Sequence, residues 1–481
     1  MKIIDTSEEK TFHPSLDIKD DVLVLGFRIK KEKDKESDLF FIKTSEQYLT
    51  TESPEFTDKE QSFTIEKKKR VLSKLSHKWG VDNINKLIES FQDPLDKFNE
   101  IELYRKIKEN LKKYIELEQD ADYIILTSWI IGTYFFPVFS AYPYIHIKAP
   151  KGSGKSQCLN FLNQTAFNAV KSRASLPALR DTVDALRGTY LMDQADALHR
   201  NNMEDFLDVL TDSYKRAGGN VRKMVANKNA WNLEEFEAYS PKAFASINQL
   251  PEDLRDRCIV IPLIRSNKNY PPINEEDSIW KEIRSGLYTL LIKQFVSVSQ
   301  MYIFKGIEYK QNNEIFGRQL ELWIPIETIL KGVFVSEEIE QAKKRFLSRY
   351  EFSSYQTSEI EVAVIETIIY LIEDKQEIIL RPKEIATRID TELFSEDDKF
   401  NFASQKQKST IVGRAITKFN LATQKLGRDS QGERYLFTKE HLEKIHSGYF
   451  KKEVAELDTQ TYIHKNPLET KELFNELPNV S

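Results

Sequence analysis

The period of the apolar positions changes several times along the chain, and each change marks an expected element. Near the start, VLVLGFRI and DLFFIKT read as short strands, between charged stretches such as KKEKDKESD and IEKKKR that read as solvated surface. From Glu100 the spacing turns helical, with Ile101, Tyr104, Ile107, Leu111 and Ile115 on one face. Residues 123–147, YIILTSWIIGTYFFPVFSAYPYIHI, carry no formal charge and are long enough to span a bilayer. Pro137 and Pro143 interrupt that run, so a helix ending near Phe136, a turn and a buried strand Tyr144–Lys148 are expected instead of a membrane span. Strands and helices then alternate to about residue 265, the pattern of a βαβ core with a parallel sheet. A polar, proline-broken connector, SNKNYPPINEED, leads into helical spacing that continues to about Phe352. Residues 358–447 read as a separate small domain, and the remainder as a polar tail.

Composition narrows the classes. A chain of 481 residues has room for two to four domains. At 40% hydrophobic and 30% charged it is mostly globular. The net charge of −5 means that a nucleic acid must be met by a local basic face. The two cysteines, Cys158 and Cys258, are far apart and lack metal-ligand spacing, so neither a disulfide framework nor a structural zinc is expected. A reducing, cytoplasmic setting fits, and MKIIDTSEEK lacks the apolar core of a secretion signal.

The chemistry centres on APKGSGKSQ, residues 149–157. A polyphosphate concentrates negative charge, and a loop holds it when backbone N–H groups converge at a helix N-terminus. Gly152 and Gly154 permit close backbone approach. Ala149, Pro150, Lys151, Ser153 and Gln157 complete the loop; Lys155 reaches phosphate oxygens and the Ser156 hydroxyl joins a Mg2+ shell. The spacing is that of a Walker A motif with Ala149 at the first glycine. GTYLMDQAD supplies the partner motif, a buried strand ending in Asp193, the second expected metal ligand. Gln194 stands where a glutamate would polarise water; an amide orients water but takes no proton, so either hydrolysis is slow or Asp196 or another acid is the base. A third strand, residues 242–247, ends at Asn248, a candidate to position water against the phosphate. Arg257 follows in DRC, as a guanidinium for a neighbour's nucleotide or as a local partner of Asp253 or Asp256.

In this order, APKGSGKS, YLMDQAD and SINQLPEDLRDRC resemble the AAA+ ATPase core of Walker A, Walker B, sensor 1 and arginine finger. YSPKAFASI with LPEDLRDR, and later GRQLELWIPI, is similar to plasmid- and phage-borne helicase-like ATPases, relatives of minichromosome-maintenance and superfamily 3 helicases. The resemblance spans about residues 120–345. It implies ATP and Mg2+ as cofactors, a hexameric ring with single-stranded DNA in its channel, and sensor 2 at Arg318, which otherwise reads as a helix-surface arginine. It also implies a DNA-gripping hairpin, with Lys228 near the tip of VRKMVANKN and Arg222 and Lys223 on its flank.

The small domain shows three helical stretches and a strand–turn–strand, the winged-helix pattern. Its second helix carries Ile385, Ala386 and Ile389 on one face, and its third Ile411, Val412, Ala415, Ile416 and Phe419. Over residues 401–440 basic side chains outnumber Asp429, Glu433 and Glu440. Lys406, Lys408 and Arg414 on the third helix and Arg428 at the wing are the candidate duplex contacts, although such domains also dock proteins. The expected organisation is a small mixed α/β N-terminal region (1–98), an α/β AAA+ core (99–265), a helical lid and connector (266–355), a winged helix (356–450) and a tail (451–481). The expected function is an ATP-dependent DNA translocase or helicase in replication of a plasmid, virus or mobile element. The alternatives are an ATP-gated DNA-binding initiator or regulator with little hydrolysis, and a signalling or defence ATPase whose winged helix docks a protein.

Overall fold

The structure, a computed structural model, describes residues 10–30, 36–44, 47–58, 61–66, 98–173, 175–200, 202–227, 230–263, 268–312, 315–333, 336–354, 359–389, 404–418, 421–430 and 432–443. The chain divides into two units, Met1–Ser353 and Ser354–Ser481. Among the described residues, no helix is long and apolar enough to cross a membrane.

Among the described residues, the first unit opens with seven strands: β1 (Lys10–Phe12), β2 (Leu16–Lys19), β3 (Val22–Lys30), β4 (Glu36–Lys43), β5 (Tyr48–Thr51), β6 (Glu55–Asp58) and β7 (Gln61–Ile65). Strands β2 to β5 form an antiparallel meander, while β7 pairs with β1 in parallel and with β6 antiparallel. Strand alternation gives the meander two working faces. Val22, Val24, Phe40 and Ile42 join Phe12, Phe56, Phe63 and Ile65 in a small core. Leu23, Leu25 and Phe41, with Leu16 and Ile18, belong instead to the main core shared with the helices and sheet that follow.

Helix α1 (Glu100–Tyr114) starts where the Asn99 side chain accepts from the Ile101 and Glu102 N–H groups. Its buried face is Leu103, Tyr104, Ile107 and Leu111, whereas Ile101 stays exposed. Helix α2 (Asp120–Gly132) is buried along nearly its whole length and ends before the expected Phe136. At Gly132 a Cβ would collide with the Tyr142 hydroxyl, and the chain turns through a short 3-10 segment, Phe136–Val138, containing Pro137.

The central sheet comprises β8 (Tyr144–Lys148), β9 (Val170–Ser172), β10 (Tyr190–Met192), β13 (Lys242–Ser246) and β14 (Cys258–Pro262), in the order β14-β8-β13-β10-β9, all parallel. Helix α3 (Lys155–Thr165) follows β8, α4 (Leu176–Leu186) follows β9, α5 (Glu204–Asp212) follows β10, and α6 (Glu252–Arg255) links β13 to β14. Between α5 and β13 a hairpin emerges, β11 (Asn220–Asn227) paired with β12 (Ala230–Glu237). Strands β8, β10 and β13 are buried throughout except for Lys148, as expected of a parallel sheet covered on both faces. The chain leaves β8 for the far edge at β9 and later returns on both sides of β8. That reversal opens a crevice at the carboxyl ends of the strands, where ligands bind in such sheets.

Three helices complete the unit: α7 (Ser278–Asn312), α8 (Gly317–Val333) and α9 (Ser336–Ser354). Trp280 of α7 is fully buried against Tyr114 and Phe161, and Trp323 of α8 against Phe346 of α9.

The second unit holds α10 (Glu359–Ile372), β15 (Glu377–Leu380), α11 (Pro382–Ala386), α12 (Gln405–Lys418), β16 (Gln424–Asp429) and β17 (Gly432–Thr438). The strands form an antiparallel sheet, β15-β17-β16. Its core includes Val364, Ile368, Ile385, Ile389, Val412, Ile416 and Phe437. The buried faces of α11 and α12 match the sequence pattern, whereas β15, half exposed and only four residues long, carries no alternation to announce it. Phe419 lies outside the described residues.

Candidate functional site

The loop after β8 emerges at the carboxyl edge of the sheet. Gly152 and Gly154 have φ of +82° and +85°, and a Cβ at either would meet nothing within 4 Å. Backbone conformation, not crowding, therefore requires glycine, and the space over the loop is open. Helix α3 starts at Lys155 with no side-chain cap, so its first N–H groups lack intrahelical acceptors. Ala149 is buried, and its N–H donates to the Ser246 carbonyl at 3.3 Å, which explains why a small side chain suffices there. Lys155 Nζ donates to the Ala149 and Pro150 carbonyls at 2.6 and 2.7 Å. Burial draws its pKa down, against the pull of Asp196 and Asp193. The Ser153 hydroxyl is buried without a hydrogen-bond partner, and Lys151 is exposed. Gln157 points elsewhere: its amide donates at 2.9 Å to the Tyr114 and Pro271 carbonyls, tying α1 and the connector to α3.

Strand β10 delivers Asp193 to the same edge. Ser156 Oγ donates to Asp193 Oδ2 at 3.2 Å, and the Lys171 ammonium of β9 lies 3.3 Å from that oxygen. The Gln194 N–H donates to Asp193 Oδ1 at 3.0 Å. Gln194 is exposed and left-handed, with φ 57° and ψ 46°, a conformation that costs a β-carbon residue about 1 kcal/mol. Such strain collects where a backbone turn must aim a side chain.

Asn248 arrives from β13 and is fastened from two sides. Asp196 Oδ1 accepts from the Asn248 N–H at 2.8 Å and its side-chain amide at 3.0 Å, and Oδ2 accepts from the Ile247 N–H at 3.0 Å. Burial would raise the Asp196 pKa, but these donors hold it below the ordinary value. Asp196, a candidate base from the sequence, is thus the clamp that orients Asn248. On the other side, His146 of β8 bonds Ser246 Oγ at 2.7 Å, and that hydroxyl donates to the Asn248 carbonyl at 2.6 Å. Burial, reinforced by Lys148 and Arg255, lowers the His146 pKa to about 3, so the ring is neutral at physiological pH. His199 adds a bond to the Gln249 carbonyl at 2.7 Å.

Arg257 and Arg318 are not part of this group. Arg257 directly precedes β14, and its carbonyl accepts from the Tyr144 N–H at the first residue of β8. It therefore sits at the amino edge of a parallel sheet whose carboxyl edge carries the glycine loop. Its guanidinium donates to the Thr211 carbonyl at 2.7 Å and to the Asp253 carbonyl, so the local partners are backbone oxygens and not the Asp253 or Asp256 carboxylates. Arg318 joins it on the Tyr214 ring, with centroid distances of 5.9 Å for Arg257 and 4.6 Å for Arg318. Arg318 also pairs with Asp256 at 3.2 Å and Glu321 at 2.8 Å, and Glu321 accepts from Tyr214 and from Lys215. One sheet thus presents two chemically different edges, one with the loop, Asp193 and Asn248, the other with two arginines.

Arg222 and Lys223 belong to β11, and Lys228 lies outside the described residues. The base of the hairpin is held by Arg187, buried and left-handed at the end of α4. Its guanidinium meets Asp17 at 2.7 Å, the Leu16 carbonyl at 2.9 Å, and both Glu237 oxygens at 3.0 Å. In the second unit Lys406, Arg414 and Arg428 are exposed and Lys408 is half-buried, whereas Lys425 pairs with Glu433 at 2.8 Å.

Three residues of this arrangement had no sequence signal. Lys171 sits on a three-residue strand without alternation, and His146 and Ser246 look like ordinary buried strand positions.

Chemically, an open loop of left-handed glycines, a lysine at the start of a helix and a hydroxyl–carboxylate pair form a donor set suited to a phosphate-bearing ligand with a hard divalent cation. No protein-family model matches the chain, and no curated protein matches it. Among solved structures, the chain is similar to the A-form apo structure of the C-terminal region of NrS-1, at 11% identity over 86% of this chain and 96% of that one, with a TM-score of 0.32. A superposition that loose carries no argument about fold or function.

Proposed function

We propose that the chain is an ATP-driven DNA translocase or helicase that works as a hexameric ring in the replication of a plasmid, virus or mobile element. One observation carries the reading: the glycine loop, Lys155, the Ser156–Asp193 pair and the clamped Asn248 converge at one sheet edge, as a phosphoryl-transfer site requires. The N–H groups of residues 151–154 and Lys155 would hold the phosphates of ATP, and Ser156 and Asp193 would hold Mg2+. Bound there, the cation supplies charge neutralisation for the leaving phosphate oxygens. Asn248, fixed by Asp196, and Gln194 orient the attacking water.

Arg257 and Arg318 support a ring because they lie at the edge opposite their own loop. From there Arg257, and with it the sensor 2 candidate Arg318, would serve the nucleotide of a neighbour, where a fixed guanidinium stabilises developing charge. The hairpin and the small C-terminal domain, read as a winged helix, supply single-strand and duplex contacts respectively, with Arg222, Lys223 and Lys228 on the former and Lys406, Lys408, Arg414 and Arg428 on the latter.

Gln194 favours a second reading, an ATP-gated DNA-binding initiator with little hydrolysis. Phosphate release with and without single-stranded DNA separates the two. A motor turns over, accelerates on DNA, and changes less than about threefold in Gln194→Glu. A switch sits at background and gains roughly tenfold or more when Gln194→Glu restores a proton acceptor. Absence of nucleotide binding under all conditions would reject both.

A further inference from the structure

Strand β9 places Lys171 opposite Leu191 of β10, two residues before Asp193. Register partners and residues two apart share a sheet face, so Lys171 and Asp193 project to the same side. The Lys171 ammonium lies 3.3 Å from Asp193 Oδ2 and 3.3 Å from Asn160 Oδ1. Asn160 follows Ser156 by one turn of α3, so helix and strand converge on this ammonium. Asp193 Oδ2 therefore meets Ser156 Oγ and Lys171 Nζ, while Oδ1 meets the Gln194 N–H. Oδ2, the oxygen next to Ser156, thus has both lone pairs engaged, and it can ligate a small, hard cation beside Ser156 only if one of those donors withdraws. Of the three donors, the backbone N–H is fixed and the hydroxyl is itself a suitable cation ligand. The ammonium is a like charge to the cation and sits on a flexible, one-third exposed stem.

We propose that Lys171 is a positioning residue that competes with the divalent cation for Asp193: it holds the carboxylate aligned before the metal arrives and is displaced when the metal binds. The proposal rests on the nucleotide-site reading. Metal uptake is then tuned by a lysine on the edge strand of the sheet, outside the glycine loop.

The test is a Mn2+ titration of the full chain with saturating ADP, reading unbound Mn2+ by electron paramagnetic resonance. Lys171→Met removes the competing charge, and half-saturating Mn2+ is expected to fall roughly threefold or more. Lys171→Gln, a second neutral variant, should fall likewise, whereas Lys171→Arg should stay within about a factor of two of wild type. A merely structural lysine would give the same half-saturation in all four proteins, or weaker metal binding in the neutral variants, and either result overturns the proposal alone. No ADP-dependent Mn2+ uptake in wild type overturns the nucleotide-site reading as well.

Discussion

Lys155→Ala is expected to weaken ATP binding by about a hundredfold and to abolish turnover, while the melting temperature hardly moves. The Lys155 ammonium already sits against the loop, with the Ala149 and Pro150 carbonyls as acceptors. A bound phosphate would exchange neutral carbonyls for charged oxygens, and charge-assisted bonds contribute about 1.5–3 kcal/mol each. Two such bonds correspond to roughly a hundredfold in affinity. Lys155 is not part of the apolar core, so the fold has little to lose. Equilibrium binding of a fluorescent ATP analogue measures the effect. Affinity within about threefold of wild type would mean that the loop does not cradle phosphate.

The second large effect concerns the joint at Arg187. Arg187→Met leaves two carboxylates, Asp17 and Glu237, facing an apolar side chain at a buried position. Removing one partner of a buried ionic cluster costs about 3–5 kcal/mol, because the remaining charge has no compensation. Burial alone would raise the Asp17 pKa, but Arg187 and then Lys19 hold it well below the carboxylate range. A depressed folded pKa gives stability that is present above the unfolded value, about 4, and lost as pH falls through the folded one. In Arg187→Met the strongest opposition to burial is gone, leaving Lys19 and the His13 N–H, so Asp17 protonates more readily and the variant is relieved as pH is lowered toward that value. Urea unfolding at pH 7 and pH 4.5 should therefore show a loss that is largest at pH 7 and smaller at pH 4.5. A loss below about 1 kcal/mol at pH 7, or one independent of pH, would remove the ionic account.

The elements around the candidate site were legible because their signals are local. An apolar run ending in small residues announced β8 and its loop, and Tyr190, Leu191 and Met192 announced β10. Helix α2 closed earlier than its pattern suggested, as the bonding tightens to i−3 steps from Tyr134 into the segment that holds Pro137. Chemistry set by long-range contact was not legible. Asp196 reads as a spare acid until Asn248, fifty-two positions later, is seen to occupy its oxygens. Arg318 lies on the expected helix, yet its partners Asp256 and Tyr214 fix which sheet edge it serves. The Asp17–Arg187 pair spans most of the sheet domain in sequence, and no spacing rule relates two such positions. Gln157 belongs to the motif by position only, since its side chain bonds away from the loop.

The two-faced meander has a practical consequence for anyone trimming the chain. Leu16, Ile18, Leu23, Leu25 and Phe41 lie in the same apolar interior as α1, α2 and the parallel sheet. A fragment beginning at residue 99 would bare that greasy seam and strip Arg187 of Asp17 in one cut. Such a product is expected to clump on expression, so studies of the glycine loop in isolation would need to keep the opening strands attached.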